Sequence, residues 1–453
     1  MKSIFASIGI VASLTMIACG DSAQSDDGEG GSGGTGGGES VACPVPTAGP
    51  TIHDSVIEED EVWRAEDGPH IVDQWVTVRN GATLTIDPCA TVQVAAGKGI
   101  SVAYPTSPNT GMIVAEGDAE HPITFEGKDG ARWGHILLAP GAKGSFAHAT
   151  FDNGGSEDTA GATLVIRGDG TFPTKRDVFV EDVTIRRSKG AGVHIDNLAG
   201  FADGSNNLTI TESGDETTPY PMYIDEHAID TLPRGSYTGN LDDAIFVDPA
   251  FHLEEDVTMK NLGVPYVVGT FPADSLVIGA GFDSPVVTMT IEPGVHIEMH
   301  PGAAFEVEHY TGPEAASGVL IAEGTAEDPI VFTSAAATPA AGDWQGLAFG
   351  GIPSANNSLK HVRIEYTGAD CGCIFVSCSA IDQYEGAVVF SQQPPSAFIQ
   401  DSVIAHGSSH GVVLGYLGDR VDFKPGITFE DMGGCDQTLP SGESCPDPKP
   451  ACE

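Results

Sequence analysis

Clustered carboxylates are the residues of this chain best suited to chemistry. Asp242-Asp243, Glu254-Glu255-Asp256 and the run 58–61 each place acidic side chains side by side. Paired carboxyl groups act as acid and base in glycoside hydrolysis, and carboxylate oxygens bind Ca²⁺. Because none of these runs has the spacing of a Ca²⁺ loop or a defined catalytic pattern, solvated faces are the simpler interpretation. We therefore assign no catalytic residue from sequence and keep Ca²⁺ as the only candidate cofactor.

A short basic stretch is the second candidate. On neighbouring strands its side chains could bind an anionic ligand, or they could neutralise Asp177, Glu181 and Asp182. Neutralisation is the simpler interpretation, and the ligand-contact alternative stays open. The basic residues are Lys175, Arg176, Arg186, Arg187 and Lys189.

Two tryptophans, Trp133 and Trp344, occupy equivalent positions of a long internal repeat. Residues 111–117 (GMIVAEG) return as 318–324 (GVLIAEG), and each copy is followed by a short apolar run beginning with proline. Either indole could stack on a sugar ring, or it could cover the core beside a strand, which we favour. A tandem repeat of short apolar strands and glycine turns predicts a stacked architecture rather than a domain built around one cleft.

The elements between the repeated motifs are strands. Runs such as 76–78 and 83–86 alternate apolar and polar residues between Gly, Asn and Asp, which is typical of strands joined by tight turns. His148 and His361 also correspond in the repeat, and we expect them to be hydrogen-bonding turn residues. Length differences between the copies fall between apolar runs, as expected for insertions in surface turns.

The charge of the chain restricts its partners. There are 64 acidic and 20 basic residues among 453, giving a formal net charge of −44. Such a surface repels nucleic acid, anionic membranes and polyanionic substrates at long range. It favours a soluble, exported body, and any charged partner would be cationic.

The N-terminus predicts export and lipidation. Lys2, an apolar run over 4–17 and small residues before Cys19 form a signal too short for a retained membrane helix. Met16-Ile17-Ala18-Cys19 resembles a bacterial lipobox, which implies that the Cys19 thiol receives a lipid and anchors the protein in the outer membrane. Ordinary secretion, with Cys19 as a bystander, is the alternative. The Gly-rich segment that follows predicts a disordered tether.

The other eight cysteines predict disulfides in an oxidising compartment, with a zinc site as the less favoured alternative. If Cys43 pairs with Cys89, the remaining six fall into two groups of three, and at least one bridge must join the groups. These groups are Cys371, Cys373 and Cys378, and then Cys435, Cys445 and Cys452.

The repeat resembles the right-handed parallel β-helix domains of bacterial surface proteins over most of residues 62–423. The resemblance rests on TMTIEPGV (288–295), GVLIAEGT with DPIVFT (318–333) and WQGL (344–347). It implies an all-β solenoid of two similar tandem halves. We divide the chain into a signal peptide (1–18), a lipidated cysteine and linker (19–40), two β-helix halves (41–250 and 251–423) and a Cys-rich tail (424–453).

The sequence is compatible with two functions. The first is a non-catalytic, surface-anchored scaffold in the cell envelope that binds glycan or a cell-surface protein. The alternative is a polysaccharide lyase or glycoside hydrolase, which the fold resemblance and the acidic turns support. The negative surface predicts a neutral or cationic glycan in that case. The sequence leaves the ligand and the oligomeric state open.

Overall fold

The computed structural model describes residues 42–105, 109–155, 159–269, 275–310, 312–369, 385–441 and 452. The signal peptide, Cys19 and the Gly-rich tether predicted above lie outside these residues. Nearly all regular structure is β-strand, which confirms the all-β class. Within the described residues, 3₁₀ helices occur at Ala65–Asp67, Lys128–Gly130, Glu226–Thr231 and Lys424–Gly426.

The strands are short and follow one another closely along the chain. In order they are β1 (Thr51–His53), β2 (Val56–Ile57), β3 (Glu61–Trp63), β4 (His70–Val72), β5 (Val76–Val78), β6 (Thr83–Ile86), β7 (Thr91–Val94), β8 (Ile100–Val102), β9 (Gly111–Glu116), β10 (Ile123–Gly127), β11 (Ile136–Leu138), β12 (Ala142–Ala147), β13 (Ala149–Asp152), β14 (Leu164–Arg167), β15 (Lys175–Arg186), β16 (Val193–Asp196), β17 (Ala199–Phe201), β18 (Asn206–Thr211), β19 (Met222–Asp225), β20 (Gly235–Ser236), β21 (Ile245–Asp248), β22 (His252–Leu253), β23 (Val257–Met259), β24 (Tyr266–Val268), β25 (Leu276–Ile278), β26 (Val287–Ile291), β27 (His296–Met299), β28 (Ala304–Val307), β29 (Gly318–Glu323), β30 (Ile330–Ser334), β31 (Gly346–Phe349), β32 (Ser358–Lys360), β33 (Val362–Glu365), β34 (Gly386–Phe390), β35 (Ile399–Gln400), β36 (Ser402–Ala405), β37 (His410–Leu414) and β38 (Ile427–Glu430).

Each strand pairs in parallel with the strand about three places further along the chain, so the backbone winds in coils with three faces. Within the described residues the faces form sheets of 13, 14, six and five strands. The 14-stranded sheet runs from β2 to β38, the 13-stranded sheet covers the other two faces from β1 to β20, and the smaller sheets begin at β22 and β23. This arrangement confirms the expected parallel β-helix.

Alternation along each strand builds the core. In β7, Val92 and Val94 are fully buried, whereas the intervening Gln93 points outward and is half-buried. Parallel pairing in register places similar side chains of successive coils on top of one another. Phe125 of β10 lies directly over Phe151 of β13, with their ring centroids 4.7 Å apart. The interior is therefore a continuous column of aliphatic and aromatic side chains.

Single residues with positive φ turn the chain from one face to the next. His148, between β12 and β13, has φ 44°, and Asp182, in the middle of β15, has φ 52°. Strand β15 consequently pairs with β12 before Asp182 and with β13 after it. Asn and Asp tolerate this left-handed conformation better than most residues, and His is also enriched there.

The repeated motifs do not keep to the same sheet. Strand β11 follows Trp133 and lies in the 14-stranded sheet, whereas β31 follows Trp344 and lies in the six-stranded sheet. In the second copy, the 14-stranded sheet contains β30, which is the counterpart of β10 and not of β11. Equivalent strands of the two copies therefore lie one face of the helix apart. Ala42–Glu453 form one compact unit. The boundary between halves at residue 250 stays a prediction, and β38, within the predicted tail, is the last strand of the 14-stranded sheet.

Candidate glycan-binding groove

The two tryptophans lie in the core. Trp133 is 1% exposed and Trp344 is fully buried. The indole N–H of Trp133 donates to the main-chain oxygen of Asp152 over 2.7 Å, and that of Trp344 donates to Glu365 over 2.6 Å. Because neither ring presents a face to solvent, these positions favour the core interpretation over sugar stacking.

The basic stretch is paired with carboxylates. Arg176 contacts Asp230 at 2.7 Å and Asp203 at 3.2 Å, and Arg186 and Arg187 both contact Asp152. These partners differ from the Asp177, Glu181 and Asp182 that the sequence suggested, because stacking brings together residues of different coils. Lys175 donates to the main-chain carbonyls of Thr171 and Pro173. The pKa of Asp215 is lowered mainly by the hydrogen bond from the Thr218 N–H, and the charge of Lys189 lowers it further. The stretch therefore does not form a row of uncompensated cations.

One of these arginines borders a groove on the outer face formed by β7, β10, β13 and the second part of β15. The groove has a volume of about 600 Å³. Its floor and walls carry side chains that both donate and accept hydrogen bonds. The polar lining residues are Gln93, Glu126, Asp129, Asp152, Asn153 and Arg187.

Hydrogen bonds between neighbouring coils fix these side chains. The Gln93 amide donates to Glu126 Oε1 over 2.9 Å. The Asp152 side chain, 10% exposed, accepts from Arg187 Nε at 2.8 Å and from Arg186 Nη2 at 2.9 Å. Asn153 donates to the carbonyl of Gly130 over 3.1 Å. The groove is thus a preorganised polar surface suited to binding hydroxyl groups.

A second group of side chains lies on the outer face of the 14-stranded sheet. Asp243 accepts from the N–H groups of Gly239 and Asn240, so it holds a turn. Asp242 is exposed, and its pKa is raised by partial burial and by Asp243; the pKa of Glu298 is raised by burial and by Asp242. Sequence reasoning missed Glu298, whose only signal was its outward position in the alternating strand β27.

Members of both remaining acidic runs have structural partners. Glu255 accepts from Thr174 Oγ1 over 2.7 Å, and Asp256 accepts from the Thr288 N–H over 2.7 Å. Glu58 pairs with Arg79 at 2.8 Å. In the part of the chain that the structure describes, no group of three or more His, Cys, Asp or Glu side chains is arranged to hold a metal ion.

Two disulfides join cysteines of the predicted set. Cys43 is bonded to Cys89, and Cys435 is bonded to Cys452. Cys371, Cys373, Cys378 and Cys445 lie outside the described residues, so the bridge expected between the two groups stays a prediction. Among the described residues, no helix is long and apolar enough to span a membrane.

Comparison with known proteins supports the fold. Residues 283–365 match the family model of the pectate-lyase like β-helix domain. No curated protein and no solved structure matches the chain significantly. The match covers strands β26 to β33, which lie in the second copy of the repeat. Together with the parallel sheets, it places the chain among parallel β-helix proteins and fits a scaffold related to polysaccharides.

Proposed function

We propose that this protein is a non-catalytic scaffold that binds a neutral or cationic glycan through the groove lined by Gln93, Glu126, Asp152 and Arg187. The observation that carries the proposal is the groove itself, with its donors and acceptors held in place by bonds between coils. Carboxylate pairs accept hydrogen bonds from adjacent hydroxyls, and arginine and amide groups donate to ring and hydroxyl oxygens. Preorganised side chains lose little entropy on binding.

The charge of the protein restricts the class of glycan that it can bind. A net charge of −44 repels polyuronates and other polyanions. Glu126, Asp129 and Asp152 carry negative charge at the groove, and Asp152 is shared by the two positive charges of Arg186 and Arg187, so the carboxylates outnumber the guanidinium groups there. Neutral or amino-sugar glycans therefore fit this surface better than acidic ones.

The proposed setting is the outer membrane, with the protein held by lipid on Cys19 and presented for adhesion. The signal, the lipobox and the Gly-rich tether support it. Incorporation of a labelled fatty acid into the wild-type protein, and its loss in Cys19→Ser, is the expected result. A protein that enters the medium unlabelled would contradict the anchor.

Hydrolysis is the second candidate function, and Asp242 with Glu298 favours it. Two interacting carboxyl groups with raised pKa values resemble an acid and base pair more closely than the structural Asp243 does. Burial raises the pKa of Tyr220, and the charges of Asp242 and Glu298 add to that rise.

The deciding experiment incubates the full-length protein in detergent with insoluble neutral, amino-sugar and uronic-acid polysaccharides. Retention on a neutral or amino-sugar polymer without released oligosaccharides supports the scaffold. If the wild-type protein releases oligosaccharides and Asp242→Asn or Glu298→Gln does not, the protein is a hydrolase and the scaffold function is wrong. Retention only on the uronic-acid polymer would contradict both.

A further inference from the structure

A row of threonines runs along the same outer face as the groove. Each lies at the same register position of successive strands: Thr91 pairs with Thr124, Thr124 with Thr150, Thr150 with Thr184, and Thr184 with Thr209. All five side chains are half-buried and point outward, away from the core. The helix therefore presents one β-branched hydroxyl per coil over five coils.

These hydroxyls have no partner within the described protein. None of the five donates or accepts a side-chain hydrogen bond there, whereas Thr77 on another face bonds to Ser101 at 3.0 Å. Partly buried hydroxyls without a protein partner need water or a ligand to satisfy them. A straight array of five such groups is suited to a ligand with the same repeat.

A second row lies two residues further along the same strands. It contains Gln93, Glu126, Asp152 and Arg186. Gln93 pairs with Glu126 and Asp152 with Arg186, and Glu126 and Asp152 directly follow the paired Phe125 and Phe151. This row crosses the groove, so the hydroxyl row runs along one side of it. Any chain lying parallel to the helix axis would meet one threonine and one polar side chain at every coil.

The spacing between successive coils restricts which kind of polymer could bind along the threonine row. Parallel strands lie about 4.7–4.9 Å apart. An extended peptide advances only about 3.2–3.4 Å per residue and falls out of step within two coils. A ribbon-like β-1,4-linked glycan advances by close to the strand spacing per sugar, and it presents hydroxyls along both edges. An α-1,4-linked glucan curls into a helix and cannot keep this register.

We infer that the groove and the threonine row together bind an extended, neutral β-1,4-linked glycan parallel to the helix axis, with one sugar per coil. This inference rests on the proposed glycan-binding function and specifies its ligand and orientation. Five threonines define the contact, so affinity should rise with oligosaccharide length and level off at about five sugars.

The test measures binding of cello-oligosaccharides of increasing length, and of chito-oligosaccharides, to the full-length protein by calorimetry. Malto-oligosaccharides of the same lengths are the α-linked control. Thr150→Val keeps the branched shape and removes only the central hydroxyl, so it should weaken binding about three- to tenfold. Thr85→Val, outward-facing on another face, is the matched control and should leave binding unchanged.

The outcomes separate the two levels of the proposal. Length-dependent binding of either β-linked series that Thr150→Val weakens supports the inference. Binding that Glu126→Ala weakens but that ignores linkage, length and Thr150 overturns the inference and leaves the glycan-binding function standing. If the protein binds none of these oligosaccharides and no polysaccharide, the function itself is wrong.

Discussion

The side chain of Gln93 donates to Oε1 of Glu126 across neighbouring coils, at 2.9 Å. Both residues point outward on strands β7 and β10 and both line the groove. The bond holds one carboxylate oxygen and leaves the other to accept from a ligand. A flexible surface glutamate loses side-chain entropy when it binds a ligand. Because Gln93 already restricts the Glu126 side chain, less entropy is lost on binding.

Gln93→Leu should therefore weaken glycan binding about three- to tenfold, because Glu126 is no longer oriented. Calorimetry with the retained glycan measures the change. Gln400→Leu, an exposed glutamine on β35, is the control and should bind as the wild type does. Equal losses in both variants would mean that the effect is not local to the groove.

Stability should fall as the pH rises from about 4 to 7 because of Asp225. Burial, followed by the charge of Glu226, raises the pKa of Asp225 to about 7 from a usual value of 3.8. Between these values the folded protein keeps a proton that the unfolded chain has lost, so protonation favours the folded state. The contribution is complete below about pH 4 and is lost as the pH reaches 7, with a size of up to about 4 kcal/mol.

Urea unfolding at several pH values measures this slope. Asp225→Asn should flatten it, even though the variant is less stable overall, because it disturbs the bonds from the Leu198 and Ala228 N–H groups. Glu327→Gln, on the surface, should keep the wild-type slope. A slope unchanged in Asp225→Asn would show that this carboxyl does not titrate as described.

Trp133→Phe and Trp344→Phe should each lower stability by about 1–3 kcal/mol, since each leaves a buried carbonyl without its indole donor. Trp344→Phe should not alter glycan affinity under conditions where the protein is folded, whereas Trp133 bonds to the main chain of Asp152 in the groove and its variant tests stability alone. Thermal unfolding and calorimetry test the two statements separately. Loss of binding by Trp344→Phe at wild-type stability would return that tryptophan to a ligand-contact role.

Removing the disulfide between Cys43 and Cys89 should destabilise the N-terminal coils. It closes a loop with a sequence separation of 46 residues, for which the chain-entropy treatment gives about 4 kcal/mol. The double serine variant should unfold at lower urea concentration and expose the first coils to protease before the rest. Uniform cleavage along the chain would contradict a local effect.

The sequence predicts the fold well because its signals are local and repeated. Alternation in runs such as 83–86 places Leu84 and Ile86 in the core, as the pattern indicates. Equivalent residues such as Trp133 and Trp344 make equivalent contacts. The one-face offset between copies was not predictable, because it depends on how the chain between β19 and β24 passes from one sheet to the next.

The candidate site was less accessible to prediction. Gln93, Glu126 and Asp152 are separated by some thirty residues each along the chain, and only the coil register brings them into one row. The basic stretch around Arg187 did indicate the neighbourhood, but its ion-pair partner lies in an earlier coil. Asp242 was found by its charge, whereas Glu298 needed the structure.

Binding of a neutral or cationic glycan in the groove is the function proposed for this protein. Its most direct test is the affinity of the wild-type protein, Glu126→Ala and Asp242→Ala for the polysaccharide that retains the wild type. Binding should weaken about tenfold or more in Glu126→Ala and should not change in Asp242→Ala. Wild-type affinity in Glu126→Ala, with weakening in Asp242→Ala, would place binding on the outer face of the 14-stranded sheet and contradict the assigned groove, which lies on the 13-stranded sheet.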